Sequence, residues 1–251
     1  MPTFDRPGAS IAFDEHGSGF PLLLFAPGGM HSIAKLWTER PGSPGERLPW
    51  IDPTADLAGD FRVVSMDQRN AGASTGEVSA DDGWHTYTED HIALMDHLGF
   101  DKVHAMGGCI GSSYALSLCA AAPGRVAAAV LQNPIGLSED NHHKFVEMFD
   151  SWASDLTSRR GVDPGALESF KTNMFGGDFV FSVSRDFVRS CPVPLLVLPG
   201  NDEFHPRAAA EEIVDLAPDA ELLDGWAGNH AATAERIRAF LTSHTPRSGA
   251  A

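Results

Sequence analysis

V-H-A-M-G-G-C-I-G, residues 103–111, reads as a short buried strand that runs into a sharp turn and opens a helix, with Cys109 at the apex. Gly107 and Gly111 flank the apex two positions away on either side. A side chain at either place would collide with the neighbouring strand or helix, and the residue between them must accept a strained backbone. The following stretch, 110–121, has the apolar content of a helix, and the free N–H groups and dipole at its start favour a thiolate and a developing oxyanion. The pattern is that of a nucleophile elbow, Gly-x-Ser-x-Gly, with cysteine in the serine position. Taken alone it reads equally well as a Gly-rich turn with a buried thiol, so the rest of the chain decides.

At 251 residues, with 43% hydrophobic and 21% charged residues, the chain has enough apolar material for one sizeable globular domain. There are 34 acidic against 18 basic residues and a formal charge of −16, which argues against binding nucleic acid or an anionic membrane. The first ten residues, M-P-T-F-D-R-P-G-A-S, have neither the basic start nor the apolar run of a secretory signal, and no stretch has the apolar length of a membrane span. The cysteines, Cys109, Cys119 and Cys191, are widely spaced and odd in number, as expected of a reducing cytoplasm rather than a disulfide framework. A cytoplasmic monomer or homodimer acting on a small molecule is the expectation, with no metal and no cofactor.

Outward from the elbow, strands and helices alternate. Residues 10–15 alternate as a strand, and 20–26 form a fully apolar run suited to a parallel sheet. That run ends in Pro27-Gly28-Gly29-Met30, where two glycines permit close backbone approach to a ligand or simply a tight turn. A Pro- and Gly-rich loop over the sheet is expected at 40–54, a strand at 61–66, a helix at 88–98 stopped by Gly99, and a strand at 126–132. The stretch 137–190 then interrupts the alternation. Phe145, Phe149, Trp152 and Leu156 fall on one helical face there, which suits either a lid whose apolar face closes over a pocket or a helical insertion packed on itself. Alternation resumes with strand 193–198, helix 207–216, strand 220–223 and helix 231–241. A tail expected to be disordered begins at Thr245.

A cysteine nucleophile needs a base to take its proton and a third group to hold that base. In open α/β sheets these come from loops at the carboxyl ends of strands. Asp202 directly follows a buried strand, with Glu203 the alternative carboxylate. His230 sits in a Gly-rich loop, 225–229, just ahead of the last helix. His205 is close to Asp202 in sequence, but its place on the helix side counts against it. Ser112 and Ser113, on the first turn of the elbow helix, have backbone groups to satisfy, while Cys119 and Cys191 read as structural thiols.

From about 10 to 241 the chain resembles the α/β-hydrolase fold superfamily. The resemblance rests on the elbow G-G-C-I-G, the segment D-Q-R-N-A-G-A-S at 67–74, which is similar to the family's D-x-R-G-x-G-x-S, and P-G-N-D and G-N-H in the family's order. It implies a mostly parallel central sheet flanked by helices, with a core of 1–136 and 191–251 and a small helical lid, 137–190, inserted after the sixth strand. It also implies that Cys109 is the nucleophile, His230 the general base, and Asp202 the carboxylate that orients it. The oxyanion hole would be the N–H of Ile110 with that of Gly28 or Gly29, although Ala26-Pro27 stands where many members have His-Gly. Met30, His31, Phe145, Phe149 and Trp152 are the candidate pocket residues.

A thiol in the serine position makes the covalent intermediate a thioester, which suits fairly reactive acyl groups. In its nucleophile the chain is similar to the dienelactone hydrolases, and in its lid to the esterases, enol-lactonases and carbon–carbon bond hydrolases. Hydrolysis of a small apolar or aromatic ester, lactone or thioester is expected. Acyl transfer by the same triad, carbon–carbon cleavage and ligand binding without turnover remain open.

Overall fold

The computed structural model describes residues 1–39, 46 and 50–247, so most of the expected 40–54 loop and the tail 248–251 lie outside the described residues. Among the described residues nine strands form the sheet: β1 (Thr3–Arg6), β2 (Ala9–His16), β3 (Phe20–Phe25), β4 (Phe61–Met66), β5 (Thr75–Gly76), β6 (Val103–Gly108), β7 (Val126–Gln132), β8 (Leu195–Leu198) and β9 (Ala220–Leu222). Their order is β1-β2-β4-β3-β6-β7-β8-β9, with β5 beside β2. β2 pairs antiparallel with β1, β4 and β5, and every pair from β4 through β9 is parallel.

The central strands are apolar on both faces because helices cover both. Leu22, Leu24, Met106, Val130 and Leu196 point towards α1 (Pro53–Leu57) and α8 (His230–Ser243). Leu23, Phe25, Ala105, Leu131 and Val197 point towards α2 (Trp84–His97), α3 (Ile110–Ala121) and α7 (Arg207–Leu216). The strand order reverses at β3, and open α/β sheets place ligands at such a point, beyond the carboxyl ends of the strands. β3 and β6 run side by side there, Phe25 in register with Gly107. The turn after β3 therefore meets the elbow after β6.

Between β7 and β8 lie α4 (His142–Arg160), α5 (Pro164–Phe175) and α6 (Arg185–Arg189). This helical stretch follows the seventh strand in chain order rather than the sixth, because the two-residue β5, too short to show as an apolar run, adds one to the count. Phe145, Phe149, Trp152 and Leu156 are all buried. Phe145 packs on Phe181 at 4.6 Å between ring centres, and Phe149 on Phe170 at 5.3 Å and Trp152 at 5.2 Å. α2 begins at Trp84, four residues before the expected start, behind the N-terminal residue Gly83. The chain is still held at Thr245, the expected start of a disordered tail, where the hydroxyl meets His104 Nε2 at 2.9 Å and the Leu241 carbonyl at 3.0 Å.

The D-Q-R-N-A-G-A-S segment braces the turn after β3. Asp67 accepts the N–H of Ala34 and of Ala73, both at 2.9 Å, and the Gln68 N–H bonds the Ser32 carbonyl at 3.0 Å. Arg69 donates twice to the fully buried Asp90, at 2.7 and 2.8 Å, and Arg6 adds a third bond at 3.0 Å. Removing the carboxylate strands a buried guanidinium. Asp90→Ala should therefore lower unfolding free energy by about 3–5 kcal/mol in a urea titration.

Candidate active site

Cys109 adopts φ 57° and ψ −123°, a backbone conformation rare for a residue with a side chain and worth about 1–3 kcal/mol of strain. The surroundings hold it there. Its N–H bonds the Gln132 carbonyl at 3.0 Å, and the Ser112 hydroxyl bonds the Gly107 carbonyl at 2.9 Å. A Cβ on Gly107 would run into the carbonyl of Gly111, and one on Gly111 into the carbonyl of Phe25. Both glycines are thus required by close backbone approach, as the spacing implied. Ser113 bonds the Val180 carbonyl at 2.9 Å and takes no place beside the thiol. Cys119 and Cys191 are buried, and burial pushes both thiols up from their ordinary value.

The thiol is partly buried, which by itself would raise its pKa. The charge and hydrogen bonding of His205, with the N–H groups of Ile110 and Gly28, outweigh that effect and bring it below the ordinary thiol value. Gly28 rather than Gly29 is thus the glycine whose N–H reaches the sulfur. Gly28 has φ 116° and Gly29 φ 61°, conformations that glycine adopts without strain. Met148 of α4 presses its sulfur on Gly29 from above.

The histidine beside Cys109 is His205, and this corrects the assignment of His230. The segment 201–206, N-D-E-F-H-P, folds back on itself. Asp202 Oδ1 accepts the N–H of Phe204 at 3.0 Å, the N–H of His205 at 3.1 Å, and Nδ1 of the His205 ring at 2.7 Å. Gly200 leaves room for the return, since a Cβ there would strike His205. Pro206 then leads into α7, so His205 lies in the loop and not on the helix. Its Nε2 is buried without a hydrogen-bond partner among the described residues, and the ring lies close enough to the Cys109 thiol for each group to shift the other. Burial would lower the imidazole pKa, but Cys109 and Asp202 together push it up to about 10. The bond to His205 in turn holds Asp202 below its ordinary value.

His230 is exposed because a different residue anchors the loop before α8. Trp226 is buried there, its Nε1 bonded to the Pro199 carbonyl at 2.8 Å, and its own carbonyl accepts the Asn229 N–H at 3.2 Å and the Thr233 hydroxyl at 2.9 Å. The indole occupies the inner side of the loop, and His230 starts α8 facing solvent. Among the candidate pocket residues, Met30, Phe145 and Phe149 are spent on core packing. His31 and Trp152 line a cavity of about 220 Å³ together with Ile33, Asn70, Gly72 and Leu156.

Residues 21–213 match the family model of the alpha/beta hydrolase fold. The chain belongs to that family. A RutD-type carbamate hydrolase candidate from Agrobacterium fabrum is 28% identical over 122 residues, 49% of this chain and 45% of that protein, so the match spans less than half of the relative. The 2-hydroxymuconate semialdehyde hydrolase of Pseudomonas putida is 25% identical over 83% of this chain and 79% of its own length. Among solved structures, the enol-lactonase of Burkholderia xenovorans superposes with a TM-score of 0.64 at 18% identity, covering 97% of this chain and 99% of the other. At that identity the likeness speaks for the fold.

The sequence signal for His205 was present in D-E-F-H-P: an Asp followed three residues later by His, with Gly200 before and Pro206 after, is an Asx-type turn that closes a carboxylate on an imidazole. Iodoacetamide alkylation reads the result directly. Below its own pKa an unperturbed thiol loses about tenfold in rate per pH unit. The Cys109 rate should fall less steeply than that on going from pH 9 to 7. His205→Asn should restore the ordinary dependence, and His230→Ala should leave the wild-type profile.

Proposed function

We propose that the protein is a hydrolase that cleaves a small, largely apolar ester, lactone or thioester through a covalent Cys109 thioester, with His205 as general base and acid and Asp202 as the group that orients it. The observation that carries this reading is the His205 ring, bonded through Nδ1 to Asp202 and presenting Nε2 to Cys109. Such an arrangement favours a thiolate and imidazolium at neutral pH.

In the first half-reaction the Cys109 thiolate adds to the acyl carbon, and the carbonyl oxygen gains the negative charge. The N–H groups of Ile110 and Gly28, aimed at the region of the sulfur, are the donors for that oxyanion. The tetrahedral species collapses by breaking the bond to the leaving oxygen or sulfur, which takes the proton from His205 Nε2. In the second half the neutral imidazole removes a proton from water as its oxygen adds to the thioester carbon. The carbon–sulfur bond then breaks, and thiolate and imidazolium are restored. Asp202 keeps Nδ1–H in place throughout, so that Nε2 is the nitrogen that gives and takes the proton.

The names of the relatives agree with acyl chemistry on small substrates, and the 220 Å³ cavity beside the turn that carries Gly28 suits a small group. A thioester is also open to an acceptor other than water, and the same machinery would then transfer the acyl group.

Mixing the enzyme with p-nitrophenyl acetate should give a burst of nitrophenol and an acetyl mass increase on the Cys109 peptide, both absent in Cys109→Ala. Steady-state kcat/KM should fall by about 10²–10⁴ in His205→Ala. It should change by less than about twofold in His230→Ala. If both histidine variants hydrolyse the ester like wild type, the proposed base is wrong. Product that forms only when an amine or thiol acceptor is supplied assigns transfer rather than hydrolysis.

A further inference from the structure

The three bonds that Asp202 Oδ1 accepts order the His205 ring against its own carboxylate, but none of them fixes the 201–206 turn as a body against Cys109. That placement comes from outside the turn. Cys109 is tied to the end of β7, its N–H on the Gln132 carbonyl at 3.0 Å, and the chain leaves β7 directly towards the turn. Asn133 donates its N–H to the Leu198 carbonyl at 2.7 Å, and the Gly136 N–H bonds the Phe204 carbonyl at 3.2 Å. Gly136 also lies against α7, where a Cβ on it would come within 2.4 Å of the Ala209 side chain.

The same segment closes on the turn a second time through Asn141, which is buried at the start of α4. Its amide nitrogen donates to the carbonyls of Gly136 and Glu203, both at 2.8 Å, and its amide oxygen accepts the Ser138 N–H at 2.8 Å. Both N–H groups and the oxygen of the amide are thus in use, a set that an apolar side chain cannot replace. Glu203 and Phe204 are the two residues between Asp202 and His205, and the carbonyl of each is held from residues 136–141. Further along α4, Lys144 pairs with the Glu203 carboxylate at 2.8 Å, and Phe145 packs edge to face on Phe204 at 5.5 Å. The Lys144 pair involves an exposed carboxylate and is weak. Asn141 is the buried polar tie.

We propose that Asn141 is a positioning residue: its bond to the Glu203 carbonyl sets where the 201–206 turn, and with it His205, stands relative to Cys109. Its amide is fully engaged with backbone groups, so it acts through His205 rather than on the thiol. The path from nucleophile to base is short: Cys109 to Gln132, along the chain to Gly136, and through the Asn141 amide to Glu203. Without the amide the turn keeps its internal order and loses its place. A misplacement of about 1 Å in a reacting group costs on the order of 10²-fold in rate. This role rests on the proposed pairing of Cys109 with His205.

The test compares Asn141→Ala with His142→Ala in the full chain. His142 is the next residue, and its Nε2 bonds the Phe175 carbonyl at 2.7 Å, so its removal loosens the same end of α4 without touching the turn. Asn141→Ala should lower the Cys109 iodoacetamide rate at pH 7 by about tenfold and steepen its pH dependence, as expected of a thiol that ionises less readily. His142→Ala should keep the wild-type profile whatever it does to Tm. In a His205→Asn background, adding Asn141→Ala should change the profile no further, since the residue it positions is gone. Asn141→Ser keeps a side chain suited to the start of a helix and should repeat the alanine result, which carries the test if Asn141→Ala does not fold. A wild-type profile in a folded Asn141 variant, the same change in His142→Ala, or a further change in the His205→Asn background would each overturn the proposal. So would failure of both Asn141 variants to fold, which would assign the residue to the fold as a whole. If His205→Asn alone leaves the wild-type profile, the pairing itself has failed and the role of Asn141 falls with it.

Discussion

The hydrogen bond of 2.7 Å between Asp202 Oδ1 and His205 Nδ1 is the interaction on which the site depends. It fixes the ring with Nε2 inward, sets the imidazole pKa high in concert with Cys109, and holds Asp202 ionised beside it. Local geometry makes it inexpensive. The same carboxylate oxygen also accepts two backbone N–H groups of the turn, so the carboxylate and the imidazole are ordered by one six-residue segment rather than by two loops meeting across the sheet. Fewer independent pieces have to be positioned for the proposed proton relay to form.

Having the Asp202 carboxylate and the His205 imidazole paired on one loop leaves the loop before α8 to carry a different residue inward. In this chain that loop delivers Trp226 into the interior and sends His230 to solvent. Trp37, Trp50 and Trp226 stand edge to face in a row there, next to the cleft that Asp202 lines.

Most of the fold was legible because it is written in patterns with a physical period: apolar runs for strands buried on both faces, helical spacing on α2 and α4, and glycines where backbones touch. The elbow was legible for the same reason, since Gly107 and Gly111 are forced by contacts with the Gly111 and Phe25 carbonyls. What failed was inference by order. His230 has the family's position in the chain, but position does not say which way a loop faces, and the deciding contact is an indole bonding a carbonyl 27 residues away. His205 was set aside for lying towards a helix that in fact begins after Pro206. The aromatic face of α4 was read as either closing over a pocket or packing on its own insertion, and the sequence could not tell a face closed on Phe170, Phe175 and Phe181 from one that lines a pocket.

The central claim, that His205 and Cys109 share a proton under the control of Asp202, is tested most directly by ¹⁵N NMR of histidine-labelled protein. At pH 8 the His205 ring should carry protons on both nitrogens and lose one only as the pH rises towards about 10, and Cys109→Ala should return it to the neutral form at pH 8. A His205 ring that is already neutral at pH 8 in the wild type, or one that Cys109→Ala leaves unchanged, would contradict the account.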